Sequence, residues 1–537
     1  MGLAKLRGPK LGRVIGLVGA VGFILQGYDQ AVANGLITLA SFIAVFPQTD
    51  TVNTEGAVKS HNSTIQGTTV AIYEVGCALG ALSCGVLGDR LGRRKTIFLA
   101  GWVALIGIAI QASPFSLGQL IAGRVITGML FITSHRVAVN SQRLLGLGVG
   151  GFTATIPMYV SESSGAEARG RMVLLQGWFA IGGVALATWL EFGLFYVGSN
   201  SASWRFPIAF QAIFALVVVS CIMFLPESPR WLARSGREQE AAETLALLED
   251  VPVDSEHVAQ ELEIIRQSLQ DDAEGAASSS SPFALTKNRH LHRTVLAVGV
   301  NILAQMTGVN VITFYSDSIF QNDLNYSPTI ARVITGCLQI WQFFAAGLAV
   351  LLIDRFGRRP LLITAGIGMT IAQTCLAGLS SDLTNKSAAG ASILFYFIAL
   401  FCFPIGLFLV PFMYAAELAP LRTRAKVTAM SAAANWLFSF VLAEVSPVGF
   451  ATIHWRYYIV YACISGFGLV TFYFFCPETK GRTLEEIDEI FVLSDSIFDT
   501  VRVAREMPFQ SEILAHAEDT EKMGIKSERV ENVAGEE

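Results

Sequence analysis

The chain has 537 residues, of which 52% are hydrophobic and only 15% charged, with a mean hydropathy of +0.51. Soluble domains carry about 25% charged residues, so this composition excludes an ordinary globular protein and reads as a membrane protein. The formal net charge of -5 does not describe the loops: acids gather in 240–275 and after Glu485, while the connections beside apolar runs are basic, which excludes a nucleic-acid binder.

A helix that crosses a bilayer needs about 20 mostly apolar residues. Twelve such stretches follow one another, near 14–38, 66–88, 96–115, 117–162, 172–195, 205–225, 294–320, 328–353, 360–380, 390–415, 427–450 and 456–476. The first follows Lys5, Arg7, Lys10 and Arg13, as a secretion signal would. It is too long for one, however, and carries Gln26, Tyr28, Asp29 and Asn34, so a retained helix is expected. Asp29 lies mid-span, where an ionisable group is a functional candidate by default, and Arg124, early in the fourth span, is its expected partner.

The fourth stretch is twice the length one crossing needs. Between Gly123-Arg124-Val125-Ile126-Thr127-Gly128 and Leu147-Gly148-Val149-Gly150-Gly151 sit Ser134-His135-Arg136 and Asn140-Ser141-Gln142-Arg143. Each Arg alone would cost about 2.5–3.5 kcal/mol at bilayer depth. Residues 129–146 are therefore expected to intrude on the span, as translated intron or another gene-model error; a genuine insertion extruded as a loop is the alternative.

Basic loops mark the cytoplasmic side. Arg90, Arg93, Arg94 and Lys95; Arg169 and Arg171; Arg230, Arg234 and Arg237; Arg355, Arg358 and Arg359; Arg422, Arg424 and Lys426; and Lys480 and Arg482 occupy alternate loops, with the N-terminus. Glycosylation sequons at Asn62, Asn325 and Asn385 fall in the intervening loops, on the other side. The two signals agree and put both termini in the cytoplasm. The expected layout is an N-terminal segment 1–13, a six-helix bundle 14–225, a linker 226–293 with a helix over 240–249, a second bundle 294–484, and a partly disordered tail 485–537. The eight cysteines contain no Cys-x-x-Cys pair, so neither a metal site nor a disulfide framework is expected.

The two bundles repeat one another. Gly88-Asp89-Arg90-Leu91-Gly92-Arg93-Arg94 returns as Ile353-Asp354-Arg355-Phe356-Gly357-Arg358-Arg359; Glu162 and Arg169 match Glu417 and Arg424; Pro226-Glu227-Ser228-Pro229-Arg230 matches Pro477-Glu478-Thr479-Lys480-Gly481-Arg482. The fold class is thus all-α, twelve transmembrane helices in two six-helix pseudo-repeats, the build of carriers that rock around a central site. Because Asp89, Glu162, Asp354 and Glu417 recur beside Arg93, Arg169, Arg358 and Arg424, a cytoplasmic latch between the halves is expected. Membrane anchoring explains the arginines but not the acids.

With these motifs the chain resembles the sugar-porter family of the major facilitator superfamily over about residues 10–495. Gly27-Tyr28-Asp29-Gln30, Tyr73-Glu74-Val75-Gly76-Cys77, Trp204-Arg205-Phe206-Pro207 and Leu484-Glu485-Glu486-Ile487-Asp488 resemble the fungal branch that contains glycerol–proton symporters. The resemblance implies that Asp29 and Arg124 form a protonation switch, and that Gln305, Asn310, Asn435 and Trp436 bind solute. Tyr315 and, more weakly, Gln342 join that set; their amides and hydroxyl suit a polyhydroxylated ligand. Three departures thin the pocket: Ala304 beside Gln305, Phe412 in place of Trp, and Gly177 with Gln176 one position off. Missing hydrogen-bond partners discriminate strongly, so a small polyol or less polar metabolite fits better than a hexose. The expectation is a multi-pass cell-membrane carrier of a sugar, polyol or similar solute, with a proton as co-substrate. It has lipid around it, no cofactor, no nucleic acid and no obligate protein partner. A metabolite exporter and a non-transporting nutrient sensor are the alternatives.

Overall fold

The computed structural model describes residues 6–508, apart from 129–147, 165, 199, 278–282, 284–288, 383–384, 421–422 and 483. Eleven described helices are long and apolar enough to cross a membrane. The fourth span is not among them because it comes in two pieces, Leu117–Gly128 and Val149–Glu162. The segment expected to intrude, 129–146, lies outside the described residues, but the described residues flanking it, Gly128 and Gly148, touch. Gly148, at φ +131°, sits so close that a Cβ would strike the Thr127 carbonyl and lie 2.9 Å from that of Gly128. Gly80 of the second span touches both pieces: a Cβ there would lie 2.9 Å from Gly128 O and 3.1 Å from the Gly150 Cα. The flanks thus form one interrupted crossing packed on one glycine face, the close approach that small residues permit.

The spans pair across the two halves: the first with the seventh, the second with the eleventh, the fifth with the eighth. Trp178 and Trp189 of the fifth span (Ala166–Phe195) donate their indole N–H groups to Phe343 O and Gly336 O of the eighth (Pro328–Phe356), at 3.0 and 3.2 Å. At the end of the molecule opposite the linker, Tyr28, Val32 and Leu36 share one apolar core with Val311, Phe314 and Tyr315. That end is closed.

The repeated motifs have a physical explanation within each half. Gly92 (φ +90°) and Gly357 (φ +94°) each end one helix and start the next. The freed N–H groups of the new helix are capped by an acid from the end of the same half. Glu227 accepts from Arg93 N at 3.0 Å and Arg94 N at 3.3 Å; Glu478 accepts from Arg358 N at 2.9 Å and Arg359 N at 3.1 Å. A carboxylate at a helix N-terminus is favoured by both the orphan donors and the dipole. Arg93 then grips Glu162 at 3.0 Å and Arg358 grips Glu417 at 2.8 Å, while Ser228 and Thr479 each donate to that same acid at 2.6 Å. Asp89 receives Arg93 at 3.3 Å and Arg234 at 2.8 Å.

The expected latch between the halves is a feature of the outward-open arrangement, and in this arrangement the outer end is closed. Here Arg93–Glu162 and Arg358–Glu417 each join residues of one half, Asp89 also reaches Arg234 of the linker, and the recurring Glu162 and Glu417 clamp helix ends within their own halves. Arg424 opens the eleventh span (Arg424–Ile453). The side chains of Arg169 and Asp354 lie outside the described residues.

The linker forms helices Pro229–Arg234, Glu238–Glu249 and Glu256–Ala277, the middle one as expected over 240–249. The tail, expected to be partly disordered, begins with ordered elements. Leu484–Leu493 and Thr500–Glu506 are helical, and Ile487, Ile490 and Phe491 are buried. Arg293, 1% exposed, pairs with Asp488 at 2.6 Å and lies 4.9 Å over the Phe491 ring. Polar composition concealed an amphipathic docking face; residues 509–537 lie outside the described ones.

Candidate functional site in the interface between the halves

The seventh span is broken where the candidate site begins. His290–Gln305 stops, Gly308 adopts φ +85°, and Val309–Ser318 resumes. A side chain at 308 would also lie 2.7 Å from the Tyr461 ring, so glycine is required twice over. The break turns two amides toward one another: Asn310 donates to Gln305 Oε1 at 2.7 Å and to Ser439 Oγ of the eleventh span at 3.0 Å. Discontinuous helices at bilayer depth are how carriers present polar groups to a ligand.

Gln305, Asn310, Asn435 and Trp436 are all buried, and Trp436 packs into the apolar core of the opposite half beside Leu25 and Tyr73. Tyr315 is placed differently: its hydroxyl donates to Ala443 O at 2.7 Å and its ring lines a small cavity of about 70 Å³ near the closed end. Gln342 is buried with Oε1 unpartnered. The nearby Asn301 is committed to structure, donating to Pro411 O at 3.0 Å and Ser431 Oγ at 2.7 Å. Of the three pocket departures, Gly177 has a clear cause. A Cβ there would collide with Leu409 of the tenth span, so glycine lets the halves approach.

Asp29 is fully buried, and neither of its oxygens has a hydrogen-bond partner. Among the described residues no ion pair joins it to Arg124, the arrangement the expected switch has when Asp29 is protonated. Arg124 is close enough to act on Asp29 through its field, with Gln211 and Tyr73 around the same carboxylate. Its guanidinium instead donates to Val70 O at 3.2 Å and lies 5.7 Å over the Tyr73 ring. Sequence reasoning missed a second acid here. Glu74 is also fully buried with both oxygens unpartnered, and it faces Arg124, Asp29 and Ser439. One guanidinium therefore serves two carboxylates, and Ser439 stands between Glu74 and the amide pair of the seventh span. The signal was available: an ionisable residue mid-span in the second helix invites the same default reading as Asp29.

The sequons are placed unequally. Asn62 is 5% exposed and donates to Asp50 O at 2.8 Å, so the nitrogen a glycan needs is already committed inside the fold. Asn325 and Asn385 are exposed.

The profile of a family described as "Sugar (and other) transporter" matches residues 15–138 and 129–491, two stretches that meet at the interruption of the fourth span. The chain is 34% identical over 473 residues to the MFS-type transporter oryC of Aspergillus oryzae, covering 87% of this chain and 83% of the relative. It is 32% identical over 542 residues to the sugar transporter STL1 of Saccharomyces cerevisiae, covering 98% and 91%. Among solved structures, the proton:xylose symporter XylE bound to 6-bromo-6-deoxy-D-glucose is 25% identical with a TM-score of 0.71, covering 89% of this chain and 99% of that one. The broken seventh span, the paired halves and these matches agree: the chain belongs to the sugar transporter family of the major facilitator superfamily, and is a membrane transport protein rather than an enzyme.

Proposed function

We propose that the protein carries a sugar, polyol or similar small solute by alternating access, driven by a proton gradient. The observation that bears most of the weight is the continuity of the interface. The amide pair Gln305–Asn310 meets Ser439, Ser439 faces Glu74, and Glu74 and Asp29 share Arg124. Solute hydroxyls would displace the amide–amide bond and use its donor and acceptor, with Asn435 and Trp436 completing the site. A proton on Asp29 or Glu74 balances the lone guanidinium, and its loss leaves a buried net charge that favours the alternative arrangement of the halves. The names of the relatives, sugar transporter and proton:xylose symporter, point the same way.

In this reading the protein sits in the cell membrane with termini, linker and docked tail on the cytoplasmic side, so the closed end is the outer one. The Arg93–Glu162 and Arg358–Glu417 clusters stiffen the cytoplasmic ends of each half, and act as a latch only if they exchange partners when the outer end opens. Residues 129–146 are not needed for the fourth crossing. Uptake of labelled glycerol, sorbitol, xylose and glucose, in a host lacking its own carriers and with the version lacking 129–146, tests the proposal. Accumulation of at least one solute that collapses when the proton gradient is dissipated is expected. Solute-independent signalling without uptake would instead favour a sensor.

A further inference from the structure

The closed outer end holds ionised groups that the transport site does not use. Asp317, at the end of the seventh span, pairs with Arg332 of the eighth at 2.8 Å, with both side chains buried. This pair belongs wholly to the C-terminal half. The N-terminal half then closes over it. Arg332 donates to Gly35 O at 3.3 Å and Thr38 Oγ1 at 2.8 Å, and lies 4.7 Å over the Phe195 ring. Asn34 donates to Ser316 Oγ at 3.0 Å and accepts from Asp317 N at 3.3 Å. With these contacts comes a second carboxylate, Glu191 of the fifth span, 4% exposed and held by Gly35 N at 3.2 Å.

Charge balance is then broken. Asp317 and Arg332 neutralise one another before closure, so closure adds a buried carboxylate with no cation of its own. Glu191 Oε1 and Asp317 Oδ1 are both buried with no hydrogen-bond partner. The charged and titratable groups facing Glu191 are Asp317, Arg332 and, from the first span, Tyr28. An uncompensated charge sealed from water is strongly unfavourable, whereas a proton on either of the two carboxylates removes it.

We propose that the outer gate is a proton-binding site: Glu191 and Asp317, both drawn to Gly35 and Arg332, carry one proton and one negative charge when the gate is shut, so that closing takes a proton from the outside. The inference rests on the alternating-access reading, but it concerns a site distinct from Asp29, Glu74 and the amide pair. It makes outward acidity favour the closed outer end before any solute is bound.

Hydrogen–deuterium exchange on the purified full chain, with no solute present, tests it. Peptides covering 30–38, 189–197 and 314–332 should be better protected in mildly acidic than in neutral buffer, after correction for intrinsic exchange rates. Glu191→Gln should reach the acidic level of protection in both buffers. Asp317→Asn, which leaves one acid for Arg332, should also lose the pH dependence, and serves should the first variant misfold. Equal protection of the wild type in both buffers would overturn the proposal. So would loss of protection in Glu191→Gln at both values, the mark of a charge that latches the gate by pairing with Arg332, or protection that follows sodium at fixed pH. Failure of every solute to be transported would count against the function proposed above and leave this result standing on its own.

Discussion

At the residue scale, Gly308 and Glu227 give the sharpest expectations. Gly308→Ala places a Cβ at φ +85° against the Tyr461 ring. The left-handed conformation alone costs about 1–2 kcal/mol. The variant should melt earlier and lose uptake together, because the bend that turns Gln305 toward Asn310 cannot form unstrained; unchanged melting and uptake would mean that the break is not needed. Glu227 lies outside the membrane-spanning segments, and burial pushes its carboxyl above the usual range despite N–H groups donated by Ser228, Arg94 and Arg93. The folded protein therefore holds that proton more tightly than the unfolded chain. Stability is lost as pH rises from the ordinary glutamate value through the raised one. Glu227→Gln should flatten that part of the melting-temperature profile, and a profile identical to the wild type would remove Glu227 as its source. Arg93→Ala strands Glu162, which is 11% exposed; breaking such a pair costs on the order of 3 kcal/mol, readable as a drop in melting temperature.

At the scale of the element, the fourth span carries the clearest expectation. Gly128 and Gly148 touch, and Gly80 packs on both pieces. Deleting 129–146 should therefore preserve the fold and raise monodispersity and melting temperature, as fluorescence-detected gel filtration would show. A transcript encoding all 18 residues, with a deletion variant that fails to fold, would contradict this. How far elements were legible follows from their physics. Long apolar periodicity made the spans plain, and turn glycines with flanking arginines marked their ends. The tail helices were not, because Ile487, Ile490 and Phe491 are few among charges and their docking partner is distant in sequence. The break at Gly308 was hidden as well, since a single glycine inside the long stretch 294–320 is compatible with a continuous helix until φ is known. The partners of the duplicated acids could not be read from spacing: recurrence in both halves fits contact between halves or repetition within each, and with the outer end closed Glu162 and Glu417 pair within their own halves.

For the whole molecule, the candidate site was half legible. Asp29, Arg124, Gln305, Asn310 and Trp436 were marked by residue type and resemblance, and all come to the interface. Glu74, Ser439, Glu191, Asp317 and Arg332 were passed over, because a polar residue in a span shows its importance only when its neighbours from other helices are known. Together they make an interface richer in acids than in cations from the midplane to the outer end. A carrier built this way should move charge with its solute. The measurement that bears most directly on this is external pH recorded over proteoliposomes when a transported solute is added without any imposed gradient. The wild type should alkalinise the medium as solute enters, while Asp29→Asn should retain solute exchange yet leave the pH unmoved. Solute entry at full rate with no accompanying proton movement in the wild type would contradict the account.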